Sequence, residues 1–429
     1  MKRTLPLILL LFAIILTGLG ALNRSVLALA FPILLYLAAG LALSPGTIDL
    51  RASRRIERDR DLQGSPVTMQ VEITNHGSQL NQVIIHDPLP DGLQLMTGSN
   101  QRLTSLEPSQ TMRLTYSVRA PRGIFRFASV QASVTDALWM TDRQVELPAP
   151  AQILIQPTVE DLDRIPIQPR NTRVYAGYIP SRQGGTGVDF FGVRQYQPGD
   201  PLRWINWKAS ARFQHTLFIN QYEQQRITDV GLILDTRVRS EVRTEDGASL
   251  FEHSVDAAAS LAGRFLDDGN RVGLLMYGTQ LDWTLPGYSK IQKERIQNSL
   301  ARAELGESLV FDKLENIPTR LLPPKSQVVL ISPLQGDDLS TLINLRAHGY
   351  AVLVISPDPI AFEERHLEEN QTTARAARFA HLERQSLLQN LRQAGIQVVN
   401  WQVENSLQAA LHRAYLRPVR AVRSRGVLR

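Results

Sequence analysis

The fold is decided by the stretch Asp229-Val230-Gly231-Leu232-Ile233-Leu234-Asp235, an apolar run that ends in a carboxylate. A continuous apolar run of this length is typical of a strand that is buried on both faces. Residues 250–266 follow with the helical spacing of apolar side chains, and residues 271–277 form a second apolar run. A strand, a helix and a strand in this order predict a parallel sheet that is covered by helices on both faces.

The same alternation continues toward the end of the chain. Further candidate strands lie at 327–332, 350–356 and 396–401, and candidate helices lie at about 290–303, 338–348, 372–394 and 406–415. We therefore predict a doubly wound α/β domain over residues 228–417. Because ligands of such folds bind beyond the carboxyl ends of the strands, Asp235 is the first candidate site residue.

A pattern with a period of two precedes this domain. Apolar and polar residues alternate over residues 67–74 and again over residues 112–119. Turn residues separate such runs, for example at Pro90-Asp91-Gly92 and Pro121-Arg122-Gly123. The spacing predicts an antiparallel, immunoglobulin-like (Ig-like) β-sandwich over residues 56–156.

Two uncharged apolar runs, Leu5–Leu22 and Val26–Leu43, lie near the N-terminus and are separated by a short polar break. Each run has about 18 residues, which is near the lower length for spanning hydrocarbon. A secretory signal peptide is the alternative, but its apolar core should be shorter, roughly 7 to 15 residues. We therefore predict a two-helix transmembrane hairpin over residues 1–46, with spans at about 5–22 and 26–43.

Basic residues suggest how such a hairpin would be oriented. They flank both ends of the hairpin, whereas Arg24 alone lies in the turn; the flanking residues are Lys2, Arg3, Arg51, Arg54, Arg55, Arg58 and Arg60. Because cytoplasmic segments are enriched in lysine and arginine, we expect an inner (plasma) membrane protein whose termini and working domains are cytoplasmic. Membrane lipid is then a partner of the hairpin. The basic tail, residues 418–429, is either a solvated segment or a second lipid contact.

Composition and motifs limit the chemistry. The 429-residue chain has a formal charge of +6 and no cysteine, which excludes disulfides and thiolate sites. No His-Glu-x-x-His or Gly-x-Ser-x-Gly motif is present. We expect a non-enzymatic protein without a cofactor and without a nucleic-acid partner. The alternatives are a metal-dependent hydrolase that acts at the strand ends of the α/β domain, and a structural cell-envelope protein.

The strand that ends at Asp235, with the loop and long helix after it, resembles the opening of a von Willebrand factor A domain. That resemblance implies a divalent cation at a metal-ion-dependent adhesion site, written Asp-x-Ser-x-Ser at the first strand end. Here Arg237 and Arg239 stand at the serine positions, and Pro333 stands where the family often has an aspartate. Because a guanidinium donates hydrogen bonds and cannot ligate a cation, we predict that no metal binds and that Asp235 pairs with a nearby arginine.

The densest pattern of the chain lies in residues 187–212. It contains a glycine, an acidic-Phe pair, Arg-x-Tyr, x-Pro-Gly-Asp, Arg-x-Ile-x-Trp and Ser-Ala-Arg, and its candidate site residues are Asp189, Phe190, Arg194, Tyr196, Gly199, Asp200, Arg203, Trp207 and Arg212. This pattern resembles the signature of the family called domain of unknown function 58. The resemblance implies a protein partner, a MoxR-type AAA+ ATPase.

Two main roles are open for this signature segment, which lies with a linker in residues 157–227. Its aromatic residues can fill a joint between domains while Asp189 or Asp200 pairs with Arg194 or Arg203. Alternatively the segment is a docking surface, because Trp, Tyr and Arg dominate the hot spots of protein interfaces. We expect an adaptor or scaffold that binds proteins through the A-type domain and works with the ATPase in complex assembly or maturation.

Overall fold

The computed structural model describes residues 4–42, 46–58, 60–135, 142–167, 173–213, 216–244, 247–278, 281–308, 311–367 and 370–415. The chain divides into two compact units, Met1–Gln156 and Pro157–Arg429. Each unit has a hydrophobic core of its own.

Three helices open the first unit: α1 (Thr4–Gly20), α2 (Arg24–Ala28) and α3 (Ala30–Ala42). They have 17, 5 and 13 residues, and at 1.5 Å per residue a helix needs about 20 residues to cross hydrocarbon. Among the described residues, no helix is both long enough and apolar enough to be a membrane span.

The predicted transmembrane hairpin, with spans at 5–22 and 26–43, is therefore wrong, and so is the inner-membrane location inferred from it. The second apolar run does not form one helix. Asn23 caps α2, since its side chain accepts a hydrogen bond from the Ser25 backbone N–H at 2.9 Å, and α2 ends before Leu29. Uncharged sequence alone does not show where a helix is interrupted.

Two sheets make up the rest of the first unit. Its strands are β1 (Leu50–Ile56), β2 (Arg60–Leu62), β3 (Pro66–Asn75), β4 (Leu80–His86), β5 (Gln94–Gly98), β6 (Gln101–Leu106), β7 (Thr111–Arg119), β8 (Gly123–Thr135) and β9 (Asp142–Gln156). The sheet orders are β1-β3-β7-β5 and β2-β9-β8-β4-β6, and all pairs are antiparallel except β2 with β9. The alternating apolar residues point into one core, in which Met69, Val71 and Ile73 are fully buried.

A buried charge lies in this unit, at Arg54 on β1. Its guanidinium forms an ion pair with Asp87, also donates to the Ser129 carbonyl oxygen at 3.3 Å, and lies 4.6 Å from the ring centroid of Phe127. The Tyr116 hydroxyl donates to the same Asp87 carboxylate at 2.6 Å. Arg54 is thus a core residue and does not belong to a set of charges that flank a membrane span.

The second unit is built on a six-stranded sheet with helices against it. Its strands are β12 (Asp229–Asp235), β13 (Arg271–Tyr277), β14 (Leu281–Gly287), β15 (Gln327–Ile331), β16 (Ala351–Pro357) and β17 (Gln397–Trp401), in the order β14-β13-β12-β15-β16-β17. Only β14 is antiparallel. The helices are α5 (Leu250–Asp267), α6 (Ser289–Ala301), α7 (Asp338–Ala347), α8 (Pro359–Glu364), α9 (Gln371–Gln393) and α10 (Leu407–Tyr415).

The order of the strands reverses between β12 and β15. β13 follows β12 in the chain and lies on one side of it, whereas β15 lies on the other side and leads on to β16 and β17. In open parallel sheets this switch point leaves a crevice at the carboxyl ends of the strands, where ligands bind. Asp235 is the last residue of β12 and therefore lies at this crevice.

Residues 157–167 begin the second unit and pack against its core. Leu162 and Ile165 belong to the core that covers the sheet. The Glu160 carboxylate accepts hydrogen bonds from the backbone N–H groups of Leu407 and Gln408, at 2.9 and 3.2 Å, which satisfies the free donors at the start of α10. The beginning of the segment that we assigned to a linker is thus bound to the α/β core.

The signature segment lies on a two-stranded antiparallel ribbon and the short elements between its strands. The strands are β10 (Arg173–Gln195) and β11 (Phe218–Ile227), and they enclose a 3-10 turn (Leu202–Trp204) and α4 (Trp207–Ser210). Their pairing is regular from Gly192 with Gln221 to Gln195 with Phe218 and is shifted at several places before that. β11 leads directly into β12.

Candidate functional site

A buried guanidinium fills the crevice at the carboxyl end of β12. Arg237 is 1% exposed, and its Nε and Nη2 donate to the two oxygens of Asp235, both at 2.8 Å. The backbone N–H of Arg237 donates to the same carboxylate at 3.0 Å. The arginine that pairs with Asp235 is therefore the residue at the first serine position of the adhesion-site pattern.

Arg237 also holds a second carboxylate. Its Nη1 and Nη2 donate to the two oxygens of Asp338 at 3.0 and 2.9 Å, and Nη1 donates to the Asp312 carbonyl oxygen at 3.0 Å. Asp338 is the first residue of α7, so the arginine connects the end of β12 to the start of that helix. Burial alone would lower the pKa of Arg237, but the hydrogen bonds with Asp235 and Asp338 outweigh it and raise the pKa.

Two hydroxyl groups complete the surroundings of Asp235. Ser240 and Ser332 donate to its Oδ2 at 2.8 and 2.7 Å, so the groups that hydrogen-bond this carboxylate are all donors among the residues that the structure describes. In the part of the chain that the structure describes, no three acidic or histidine side chains are grouped so that they could hold a metal ion. The electrostatic role of a cation between Asp235 and Asp338 is filled by the guanidinium of Arg237.

Arg239, at the second serine position, lies at the rim of the crevice. Its side chain is 29% exposed and pairs with Asp312 at 3.3 Å and with Asp337. Pro333 lies where the resemblance places an aspartate, and its carbonyl oxygen accepts from Arg384 Nη1 at 2.8 Å. Both positions are thus occupied by groups that cannot ligate a metal through a side-chain oxygen.

Arg384 is a second buried arginine at this edge of the sheet. It reaches from α9 across the carboxyl ends of β15, β16 and β17, and besides Pro333 its acceptors include the Pro357 carbonyl oxygen at 3.0 Å and Asn400 Oδ1 at 2.7 Å. Asp358 pairs with its Nε at 3.3 Å. Sequence reasoning missed this residue, although Arg384 shares a helical spacing with the buried Leu388 and Leu391.

In the signature segment, Arg194 and Asp200 form a bidentate ion pair. Arg194 Nη1 and Nη2 donate to the two oxygens of Asp200 at 2.7 and 2.6 Å, and the Gln197 backbone N–H donates to the same carboxylate at 2.8 Å. Gly199 supplies the left-handed backbone of this turn, with φ of 102°. The hydrogen bonds from Arg194 and from Gln197 lower the pKa of Asp200.

The next residues fold onto β11. Asn206 caps α4 by accepting from the Ala209 backbone N–H at 2.9 Å, and the Phe218 N–H donates to Ser210 Oγ at 2.8 Å. Ile205 and Ile219 are buried between these elements, 8% and 1% exposed. Asn206 Nδ2 also donates to Asn220 Oδ1 on β11 at 2.7 Å, so one small apolar contact and two hydrogen bonds hold the inner side of this part of the segment to β11.

The same stretch also exposes large apolar residues and cations. Leu202, Trp207 and Phe213 are 68%, 69% and 57% exposed. Arg203, Lys208 and Arg212 lie among them and are exposed as well. These six residues are called the 202–213 surface below.

The other candidate residues of the segment have separate places. Phe190, on β10, is 63% exposed, and Tyr196 is half-buried just after that strand. The guanidinium of Arg203 lies 5.8 Å from the ring centroid of Trp204, which is half-buried. Asp189 lies on β10, and its side chain is outside the described part of the chain.

The fold and these sites define a two-unit protein: a β-sandwich, and an α/β unit with arginines at its strand ends and an exposed aromatic segment before its sheet. The model of the family described as "Protein of unknown function DUF58" matches residues 192–359. This match confirms the resemblance that we predicted from the signature. The matched range contains the whole 202–213 surface together with Arg237 and Asp338.

A curated relative supports the same assignment. "Uncharacterized protein YeaD" of Bacillus subtilis (strain 168) is 26% identical to this chain over 257 residues, which are 58% of this chain and 61% of the relative. The match thus spans about three fifths of the length of that relative.

Solved structures match smaller parts of the chain. The CARDB domain of a Pyrococcus furiosus protein is 18% identical and covers 25% of this chain and 93% of its own, with a TM-score of 0.18. Escherichia coli alpha-2-macroglobulin, from domain MG7 to the C-terminus, is 16% identical over 31% of this chain and 22% of its own, with a TM-score of 0.22. Scores at this level do not establish a common fold.

Proposed function

We propose that this chain is a non-enzymatic adaptor or scaffold that binds other proteins through its second unit. The observation that carries the proposal is the exposure of the 202–213 surface, where Leu202, Trp207 and Phe213 are each more than half exposed. Exposed tryptophan and large apolar side chains close together mark interaction sites, because leaving such surface in water is unfavourable. Trp and Arg are also the residues that dominate binding energy at protein interfaces.

The local structure supports docking at this surface. Asn206, Ile205 and Ser210 hold the segment to β11 from its inner side, so the outer side chains project from a fixed backbone. A surface that is ordered before binding loses less conformational entropy when a partner binds. The aromatic residues therefore have the support that a binding site needs.

The crevice at the end of β12 supports a role without a metal. Arg237 satisfies Asp235 and Asp338 from within the chain, which leaves neither carboxylate free to take a cation. The resemblance to von Willebrand factor A domains suggests a protein-binding domain, and in this chain we propose that binding is independent of a divalent cation.

A MoxR-type AAA+ ATPase is the partner that the family resemblance suggests, in the assembly or maturation of a complex. The test is the affinity of the purified full chain for the purified ATPase of the same organism, measured by biolayer interferometry. Trp207→Ala should weaken binding by about tenfold or more, since hot-spot tryptophans contribute about 2 kcal/mol. Ile291→Ala is the matched control, because Ile291 is 71% exposed in the same unit.

Equal affinities of wild type, Trp207→Ala and Ile291→Ala would remove the surface from the ATPase interface. No measurable affinity of the wild type would remove the ATPase as partner. A different protein could then still bind at the 202–213 surface, and the test of that surface itself is independent of the ATPase.

A further inference from the structure

We infer that the 202–213 surface binds an acidic amphipathic segment of a partner protein, with apolar side chains against Leu202, Trp207 and Phe213 and carboxylates against Arg203, Lys208 and Arg212. The inference rests on the proposed docking function and adds the chemistry of the partner.

The charge of the surface is of one sign. Residues 201–213 contain three cations and no acidic residue. Asp200, the nearest acid before them, is already held by the bidentate pair with Arg194. Within the described residues, Arg203, Lys208 and Arg212 pair with no carboxylate. Their positive charge is therefore available to a partner.

The cations are interleaved with the apolar residues. Lys208 follows Trp207 directly, and Arg212 lies four positions further on and directly before Phe213. Lys208 lies on α4, and Arg212 lies in the turn directly after this short helix, so both cations are exposed at the same short element of the segment. A partner that fits this surface carries acidic and apolar side chains at similar spacing.

Charge disfavours two occupants that the chain itself could supply. A second copy that bound symmetrically would bring the same cations against this surface, and like charges in contact oppose association. The end of the chain is also basic and has no acidic residue after Glu404; its cations are Arg413, Arg417, Arg420, Arg423, Arg425 and Arg429. The partner is therefore a different, acidic chain.

The test is selection from a display library of random peptides of about 16 residues, about four helical turns, on the immobilised full chain. Counter-selection uses the double variant Lys208→Glu/Arg212→Glu. A second double variant, Lys290→Glu/Arg320→Glu, changes two exposed cations elsewhere in the same unit and serves as the control. Enriched peptides are then synthesised, and their affinities are measured by fluorescence anisotropy.

We expect the enriched peptides to be rich in Asp and Glu with apolar residues at intervals of three or four. Their affinity should fall by about tenfold or more in Lys208→Glu/Arg212→Glu and in Trp207→Ala, and should change little in Lys290→Glu/Arg320→Glu. Enriched peptides that are neutral or basic, yet lose affinity for Trp207→Ala, would contradict the inference that the partner segment is acidic. They would still support docking at this surface.

If no peptide depends on Trp207, both the inferred partner and docking at this surface fail. A single-stranded oligonucleotide is measured in the same assay, because aromatic and basic residues together also bind nucleic acid. Stronger Trp207-dependent binding of the oligonucleotide than of any acidic peptide would overturn the inference.

Discussion

Arg237 and Asp338 lie 101 positions apart in the chain and form a buried bidentate ion pair, with N–O distances of 3.0 and 2.9 Å. The same guanidinium pairs with Asp235, so two carboxylates at the carboxyl edge of the sheet share one cation that the chain itself supplies. The guanidinium therefore supplies the positive charge between the two carboxylates, and its contribution can be tested.

Replacement of Arg237 should be severely destabilising. Arg237→Met leaves Asp235 and Asp338 buried together without a cation, and breaking a buried pair in this way costs about 3–5 kcal/mol. Urea unfolding followed by circular dichroism measures the change. Arg239→Met, at the solvent-exposed rim, should cost less than about 1 kcal/mol. Similar losses of unfolding free energy in the two variants would show that the buried pair stabilises the fold no more than the exposed one.

A cation should stabilise only a variant in which Arg237 has been shortened. In Arg237→Ser, the carboxylates of Asp235 and Asp338 and the hydroxyls of Ser240 and Ser332 form a set of hard oxygen ligands that suits Mg²⁺. Millimolar Mg²⁺ should therefore raise the Tm of this variant and leave that of the wild type unchanged.

The metal content of the wild type tests the same claim in a second way. If the purified full chain retained stoichiometric Mg²⁺ or Mn²⁺ after gel filtration, and Asp235→Ala lost it, the metal-free account of the crevice would fail. Metal content measured by mass spectrometry decides this point. A metal-dependent hydrolase would then be the better description.

In the sandwich, Tyr116→Phe should lower the free energy of unfolding by more than the loss of an exposed ion pair does. The Tyr116 hydroxyl is the buried donor to Asp87 at 2.6 Å, and a hydrogen bond to a charged group contributes about 1.5–3 kcal/mol. Burial and the bond to Asp87 raise the pKa of Tyr116, so it stays a donor over the accessible pH range. Arg113→Ala, which breaks an exposed pair with Glu72 in the same unit, should cost less than about 1 kcal/mol.

The Arg194–Asp200 pair predicts a pH dependence in the signature segment. Because the pKa of Asp200 is lowered in the folded chain, its pairing is fully present above the unfolded value of about 3.9 and is lost as the pH falls through the lower folded value. Carbon-13 NMR of the labelled carboxyl should give a pKa below 3.9 in the wild type. Arg194→Gln should return it toward about 3.9; an unchanged value in that variant would contradict the pairing.

Much of the α/β sheet could be predicted because its strands are continuous apolar runs. Residues 229–235 and 271–277 coincide with β12 and β13, and such runs are buried on both faces wherever a parallel sheet is covered by helices. The position of Asp235 at a strand end followed from the same pattern. The second carboxylate that Arg237 holds, Asp338, could not be found in this way, because nothing in the sequence relates positions so far apart.

Buried charges cannot be told from exposed ones in the sequence. Arg54 was counted with the basic residues that flank a membrane span, but it lies fully buried in the sandwich with Asp87. The pattern of charges shows how many cations a segment has and does not show which of them have a distant partner. The prediction of two membrane spans from the apolar N-terminal runs is wrong for a related reason. Hydropathy does not reveal the interruption between α2 and α3.

The most direct measurement of the central claim is site-specific photo-crosslinking in cells of the source organism. A photoreactive phenylalanine analogue replaces Trp207 in the full chain, and Ile291, equally exposed in the same unit, carries it in the control. The account predicts a discrete adduct with another protein at position 207 and none at position 291. The same adducts at both positions, or at position 207 only adducts with a second copy of this chain or none, would contradict it.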